Sequence, residues 1–244
     1  MRTLFATLML CAAGPLAHAS LIFSSADVFT GSGFGSDPRI LTIQATGDAS
    51  VESGCDAWSG TALLVGSTAC SNPSNVGGDE PNPHGFPKDS SPELSQLGYT
   101  QASQVGIIFD ATEPGNKNSN GLIVDSLILK FYAPSGTLLL SEALTPTPFG
   151  LSSTTTGNGK TDYLFVLDQN GINQVNSDVF SLADSGSVHI GLESTLSNVA
   201  CGPESFLAQA YSTGNTSATP EPASLFLIGS GLLGAGLFRR RLSR

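Results

Sequence analysis

Apolar and polar residues alternate repeatedly between residues 20 and 211, a pattern typical of half-buried β-strands. The longest case is residues 122–132, and the turn Ala133-Pro134-Ser135-Gly136 leads to a returning strand at 137–140, which together predict a β-hairpin. Its apolar face is too large to remain in water, so we expect a second sheet to cover it. The other predicted strands are residues 21–23, 40–45, 62–65, 105–109, 163–167, 188–192 and 206–211.

One short helix is predicted after the strand at 163–167. Ile172, Val175 and Val179 recur at helical spacing, and Asp168 or Asn170 can cap the exposed N–H groups. The segment does not fit a calcium loop, because apolar Ile172 occupies the fifth position from Asp168. The sequence therefore predicts a mostly β protein, in which residues 20–211 form a single-domain antiparallel β-sandwich with one short helix.

Residues 71–100 are rich in proline and glycine and have almost no periodic pattern. A loop of this length is either functional or lacks a fixed conformation. Asp79, Glu80 and Asp89 could gather Ca²⁺, which takes oxygen ligands. We favour a solvated acidic loop instead, and therefore expect no cofactor, with calcium as the alternative.

The first nineteen residues have the three parts of a secretory signal peptide. Arg2 supplies a positive start, residues 4–16 an apolar core, and Ala17 and Ala19 the small residues of an A-x-A cleavage site. We expect cleavage after Ala19, which makes Ser20 the first residue of the exported protein.

The last residues combine three features in a fixed order after a polar linker at 212–219. The Pro-Glu-Pro tripeptide at 220–222 is stiff and extended, because each proline fixes its own φ and disfavours helix for the residue before it. An uncharged apolar run follows at 223–238 and predicts a transmembrane helix roughly 24 Å long, short of the ~30 Å hydrocarbon core. The arginines at 239–241 place the C-terminus on the cytoplasmic side.

This tail resembles the PEP-CTERM sorting signal of Gram-negative bacteria over residues 220–244. The matching residues are Pro220, Glu221 and Pro222 for the tripeptide and Arg239, Arg240 and Arg241 for the basic end. The resemblance implies that an exosortase-like membrane peptidase recognises the tripeptide, cuts near it and releases or re-attaches the body outside the cell. It thus implies a transient membrane anchor and a final location at the cell surface or in the extracellular medium. The same tail also ends some ice-binding proteins, which says nothing about this body.

The segment between the two signals is strongly acidic. Of the chain's 20 acidic and 10 basic residues, 19 acidic and 5 basic ones lie between Ser20 and Thr219, a net charge of −14 there. This charge excludes nucleic acid as a partner, because phosphate binding needs clustered Lys and Arg. It is compatible with an extracellular matrix that carries cations.

Three cysteines remain after signal cleavage, namely Cys55, Cys70 and Cys201. Cys55 and Cys70 are the natural pair in an oxidising compartment, closing a loop of about 15 residues that contributes about 3 kcal/mol. A bond from Cys201 to either partner stays open. Beside such a bond, Trp58 is more typical of a core residue than of a sugar-stacking platform.

The chain contains none of the motifs G-x-S-x-G, H-E-x-x-H or C-x-x-C. His84 and His189 are too far apart in sequence to indicate a zinc site, and carboxylate pairs such as Asp110 with Asp125 arise by chance in so acidic a chain. No local signature marks Cys201 as a nucleophile. We expect no enzyme, but a structural or adhesive component of an exopolysaccharide matrix, as in a biofilm. A secreted glycan-acting hydrolase and a carbohydrate- or ice-binding module are the alternatives.

Overall fold

β-Strands make up more than half of the residues that the structure describes. The structure, a computed structural model, describes residues 20–26, 38–43, 50–66, 89–111, 121–151, 162–199 and 204–211. Its strands are β1 (Ser20–Ala26), β2 (Arg39–Ile43), β3 (Val51–Trp58), β4 (Leu63–Val65), β5 (Val105–Asp110), β6 (Leu122–Tyr132), β7 (Leu138–Leu144), β8 (Phe149–Leu151), β9 (Asp162–Leu167), β10 (His189–Ser197) and β11 (Glu204–Ala210).

The predicted hairpin is confirmed as β6 and β7, which pair antiparallel from Ile128 with Ala143 to Tyr132 with Leu138. Two backbone hydrogen bonds close its turn, from Ala133 N to Thr137 O at 2.8 Å and from Gly136 N to Ala133 O at 2.8 Å. Proline near the start and glycine at positive φ near the end give the turn its sharp reversal.

The described strands join into one sheet, where the sequence predicted two packed sheets. The order across the sheet is β2-β11-β5-β9-β1-β7-β6-β10-β3-β4, and β8 pairs with β6. The sheet curls into a half-barrel, and β2 contacts β3 and β10 from the other end of the order. Strand twist and a register shift between Thr195 and Leu196 of β10 help one sheet to wrap around its own core. The mostly β class with one short helix is confirmed, and the predicted sandwich is corrected to a curled sheet.

The core lies on the concave face of this sheet. Phe109 of β5 and Phe206 of β11 stack there with ring centroids 4.6 Å apart. Residues 89–100, part of the predicted irregular loop, also enter this core through buried Leu94 and Tyr99. The Tyr99 hydroxyl lies 2.9 Å from the Gln209 carbonyl oxygen, which ties this segment to β11. The remainder of that loop, residues 71–88, lies outside the described residues.

The predicted helix is confirmed as α1 (Gln169–Val175), which continues through a wider helical turn at Asn176–Phe180. Asp168 caps it, accepting a hydrogen bond from Gly171 N at 2.6 Å. Val175 and Val179 are fully buried against the core, as their helical spacing predicts.

The β3–β4 hairpin covers part of the convex face of the sheet. Its loop touches the β6–β7 turn so closely that a Cβ on Gly60 would lie 2.4 Å from Ser135 O. Beneath it Cys55, Ala57 and Tyr132 form a small second cluster with Trp58 packed against them. Trp58 is half-buried, and its Nε1 donates to Pro134 O at 3.0 Å.

Candidate functional site

Most of the site residues predicted from the sequence lie outside the described residues. These are Ala17, Ala19, Cys70, Asp79, Glu80, Pro220, Glu221, Pro222, Arg239, Arg240 and Arg241. No helix among the described residues is long and apolar enough to cross a bilayer, and the span predicted at 223–238 is not among them. Cys55 and Asp89 are the two predicted site residues that the structure places.

Cys55 is one half of a disulfide, and its partner lies outside the described residues. Its Sγ is 3.2 Å from the carbonyl oxygen of Gly66, four residues before Cys70. Val199, two residues before Cys201, meets Ser50 instead, about 16 Å along β3 from Cys55. The described residues next to Cys70 therefore lie nearer to Cys55 than the described residues before Cys201 do. These positions favour Cys70 as the partner, and the pairing itself stays a prediction.

Asp89 is tied to the edge strand β2 by a hydrogen bond. Its Oδ1 accepts a hydrogen bond from the Thr42 hydroxyl at 2.8 Å. Burial raises the pKa of Asp89 to about 6, against the lowering effects of Thr42 and of the Arg39 charge. Within the described ranges no three His, Cys, Asp or Glu side chains are placed to share a metal ion.

A second carboxylate with a raised pKa lies across β11 from Thr42. Ser205 of β11 is the register partner of both Thr42 on β2 and Asp110 on β5, so the three side chains share one face. Burial raises the pKa of Asp110 to about 6, and Arg39 opposes this shift as it does for Asp89. Two carboxyl groups with raised pKa values therefore share the field of one guanidinium group.

A buried ion pair lies under the β3–β4 hairpin. Lys130 Nζ of β6 is 2.6 Å from Glu193 Oε2 of β10, and each side chain is 3% exposed. Next to it Asp56 Oδ1 accepts from Leu192 N at 2.6 Å. Asp56 can approach because Gly191, opposite Lys130, has no side chain; a Cβ there would lie 2.7 Å from Asp56 O. Lys130, Glu193 and Asp56 are thus part of the packing on the convex face.

His189, one of the two histidines of the exported segment, belongs to the same layer. Trp58 stacks on its ring at 3.9 Å between centroids, and its Nδ1 lies 2.6 Å from Ser91 O. Nε2 is 3.8 Å from Glu93 Oε1. Both ring nitrogens thus face groups of residues 89–100, and the histidine fixes this segment to the start of β10.

Glu142 of β7 is the least expected of the buried charges. It is 1% exposed, and neither carboxylate oxygen has a hydrogen-bond partner among the described residues. Burial, with the nearby charges of Asp168 and Asp178, raises the pKa of Glu142 to about 7. A buried carboxylate without a partner is costly, so this position needs a physical explanation.

Comparison with known proteins identifies the end of the chain. Residues 218–241 match the family described as the PEP-CTERM protein-sorting motif. The chain carries a PEP-CTERM sorting signal. This finding confirms the resemblance read from Pro220 to Arg241 and identifies an exported protein that is processed by an exosortase, a membrane peptidase. Neither the curated proteins nor the solved structures contain a match to the chain.

Neither buried charge site was predicted from the sequence. Alternation places Lys130 on the face of β6 opposite Leu129 and Phe131, and no local pattern indicates that the β3–β4 hairpin covers it. Glu142 did leave a signal, because it stands between Leu140 and Leu144 on the apolar face of β7. A charge at an apolar position of an alternating strand indicates a special site.

Proposed function

We propose that this protein is a structural or adhesive component of an exopolysaccharide matrix, delivered by exosortase sorting. The observation that carries the proposal is the PEP-CTERM motif at residues 218–241, because it directs the body to the cell surface or beyond. The body behind it has a net charge of −14 between Ser20 and Thr219 and is built as one curled sheet with an apolar core. Such a body stays soluble and can be cross-linked by cations to an anionic polysaccharide.

Two processing steps bracket the body in this proposal. Removal of residues 1–19 frees the N-terminus, and the tail holds the folded body at the membrane until the exosortase acts near residues 220–222. Replacing Pro220, Glu221 and Pro222 by alanine should trap a full-length, membrane-bound form, since the extended tripeptide is lost. The matched control replaces Ser212, Thr213 and Asn215 of the linker by alanine and should be processed normally.

The measurement is fractionation of the native host, followed by determination of the mass of the protein recovered from each fraction. Equal processing of the tripeptide variant and of the linker control would contradict exosortase sorting. Binding of the released body to the host's own exopolysaccharide, measured by co-sedimentation with and without a chelator, tests the matrix role. A body that does not sediment with the polysaccharide under either condition would overturn that role without touching the sorting step.

A secreted glycan-acting hydrolase is the second candidate, and Asp89 with Asp110 favours it. Glycan hydrolysis uses two carboxyl groups, one of them kept protonated near neutral pH, and both of these pKa values are about 6. Release of reducing ends from the exopolysaccharide, lost in Asp89→Asn and Asp110→Asn but kept in the Asp125→Asn control, would establish this activity. Reducing ends that persist in all three variants would exclude this pair.

A further inference from the structure

We propose that Glu142 and Asp168 form a binding site for the α-ammonium group of Ser20, which is created when the signal peptide is removed. The signal peptidase would hydrolyse the Ala19–Ser20 peptide bond with one water, leaving a carboxylate on Ala19 and an ammonium on Ser20. The inference goes beyond the proposed matrix role and rests on the cleavage site predicted from the sequence. It gives the buried Glu142 carboxylate a counter-ion that exists in the exported protein alone.

The Ser20 nitrogen already lies against one of the two carboxylates. It donates to Asp168 Oδ1 at 3.4 Å, and the Ser20 hydroxyl donates to Asp168 Oδ2 at 2.9 Å. Asp168 N returns a hydrogen bond to Ser20 O at 2.9 Å. Gly171 holds the start of α1 close, since a Cβ there would lie 3.2 Å from Ser20 O. Ser20 is thus fixed by three contacts to Asp168 and is buried.

The strand register places Glu142 on the strand beside Ser20. β1 and β7 run parallel, with Ser20 opposite Ala143 and Leu21 opposite Leu144. Glu142 precedes Ala143, so it is a diagonal neighbour of Ser20 on the adjacent strand, and neighbouring strands lie ~4.8 Å apart. The carboxyl group of Glu142 is also close enough to Asp168, which accepts from the Ser20 nitrogen, for the Asp168 charge to act on it.

The charged groups of the described residues that act on Glu142 are negative. Glu142 comes from β7, Asp168 from the cap of α1, and Asp178 from the wider turn after it, and the last two raise the pKa of Glu142. An ammonium ion supplies three N–H donors and one positive charge, whereas the amide of the uncleaved chain supplies one donor and no charge. A metal ion fits less well, because no three ligand side chains converge in the part of the chain that the structure describes.

The test compares two forms of the chain that ends at Arg244, both purified in mild detergent. One begins at Ser20 with a free amine, and the other keeps Ala19 in front of it with the Ala19 amine acetylated, so that this end of the chain carries no ammonium group. The form with the free Ser20 amine should melt at least about 2–4 °C higher, the shift that one favourable interaction of ordinary strength gives in a domain of this size. In Glu142→Gln this difference should disappear, whereas the Glu52→Gln control, which changes a buried carboxylate of β3, should keep it.

A difference that survives in Glu142→Gln, or that is absent in the unmodified chain, overturns the proposal. If Glu142→Gln does not fold, a second measurement tests the proposal on the unmodified chain, namely the rate at which the Ser20 amine is acylated. The Ser20 amine should react with an acylating reagent near pH 7 at least about tenfold more slowly in the folded form than in urea, because a rise of one pKa unit cuts the free amine tenfold. Equal acylation rates in the folded form and in urea would contradict the proposal. An exported protein that begins at a residue other than Ser20 would also contradict it.

Discussion

The ion pair between Lys130 and Glu193 allows the sharpest test of how the convex face is held together. Its atoms are 2.6 Å apart, and an effective dielectric constant of about 20 gives an attraction of roughly 6 kcal/mol at that distance. Removing two ions from water costs several kcal/mol each, so the pair as a whole contributes little net stability. Removing Lys130 alone, however, leaves the Glu193 carboxylate buried beside Asp56 without its cation.

We therefore expect Lys130→Met to lower the free energy of unfolding by about 3–5 kcal/mol, a large part of the roughly 5–15 kcal/mol of a typical domain. The double variant Lys130→Met/Glu193→Leu should regain part of this loss, because it removes the Glu193 charge together with its cation, while the buried Asp56 carboxylate stays. The free energy of unfolding of both variants is measured by urea unfolding of the chain from Ser20 onward, with the fluorescence of Trp58 as the signal. Trp58 is the one tryptophan of the chain and stacks on His189 in the same layer.

Two results would refute this reasoning. A loss below about 1 kcal/mol in Lys130→Met would mean that water enters beneath the β3–β4 hairpin and screens the remaining charge. A double variant as unstable as the sum of its two single variants would mean that the side chains matter for packing and not for their charges.

The remaining predictions concern a close approach of backbones and the titration of one carboxylate. Gly191→Ala should cost about 1–3 kcal/mol in urea unfolding, because its Cβ would lie 2.7 Å from Asp56 O; Gly150→Ala on β8, with nothing within 4 Å, is the control and should be near neutral. An equal loss of unfolding free energy in Gly191→Ala and Gly150→Ala would show that the close approach of Asp56 O does not set the cost. In the form that keeps Ala19, the folded chain holds a proton on Glu142 up to about pH 7, whereas the unfolded chain releases it near pH 4.5. The contribution of Glu142 to the free energy of unfolding is therefore complete below pH 4.5 and is lost as pH rises to about 7. This loss amounts to at most about 3 kcal/mol. Unfolding free energies at pH 5 and pH 8 should show a smaller fall in Glu142→Gln, and an unchanged fall would assign the effect to other groups.

Local patterns were sufficient where a single element decides its own structure. The β6–β7 hairpin followed from alternation and its Pro-Ser-Gly turn, and α1 followed from the spacing of Val175 and Val179 and the cap at Asp168. The sorting signal was readable for the same reason, because the tripeptide, the apolar run and the arginines act in sequence order. By contrast, β3 was not predicted, since its residues VESGCDAW show no apolar alternation. Its strand is defined by pairing with β10 and β4.

The amino-acid sequence by itself determined most of the strands, the helix and the sorting signal of this protein, because periodicity, turn residues and a linear sorting motif depend on neighbours along the chain. Only the tertiary structure decided that one sheet curls around the core, that Lys130 is buried, and that Glu142 stands beside Ser20. Those facts join residues 63 and 122 positions apart, and such pairings are set by the register between distant strands. The physical cost of a buried charge depends on what the fold places around it, which no local pattern records.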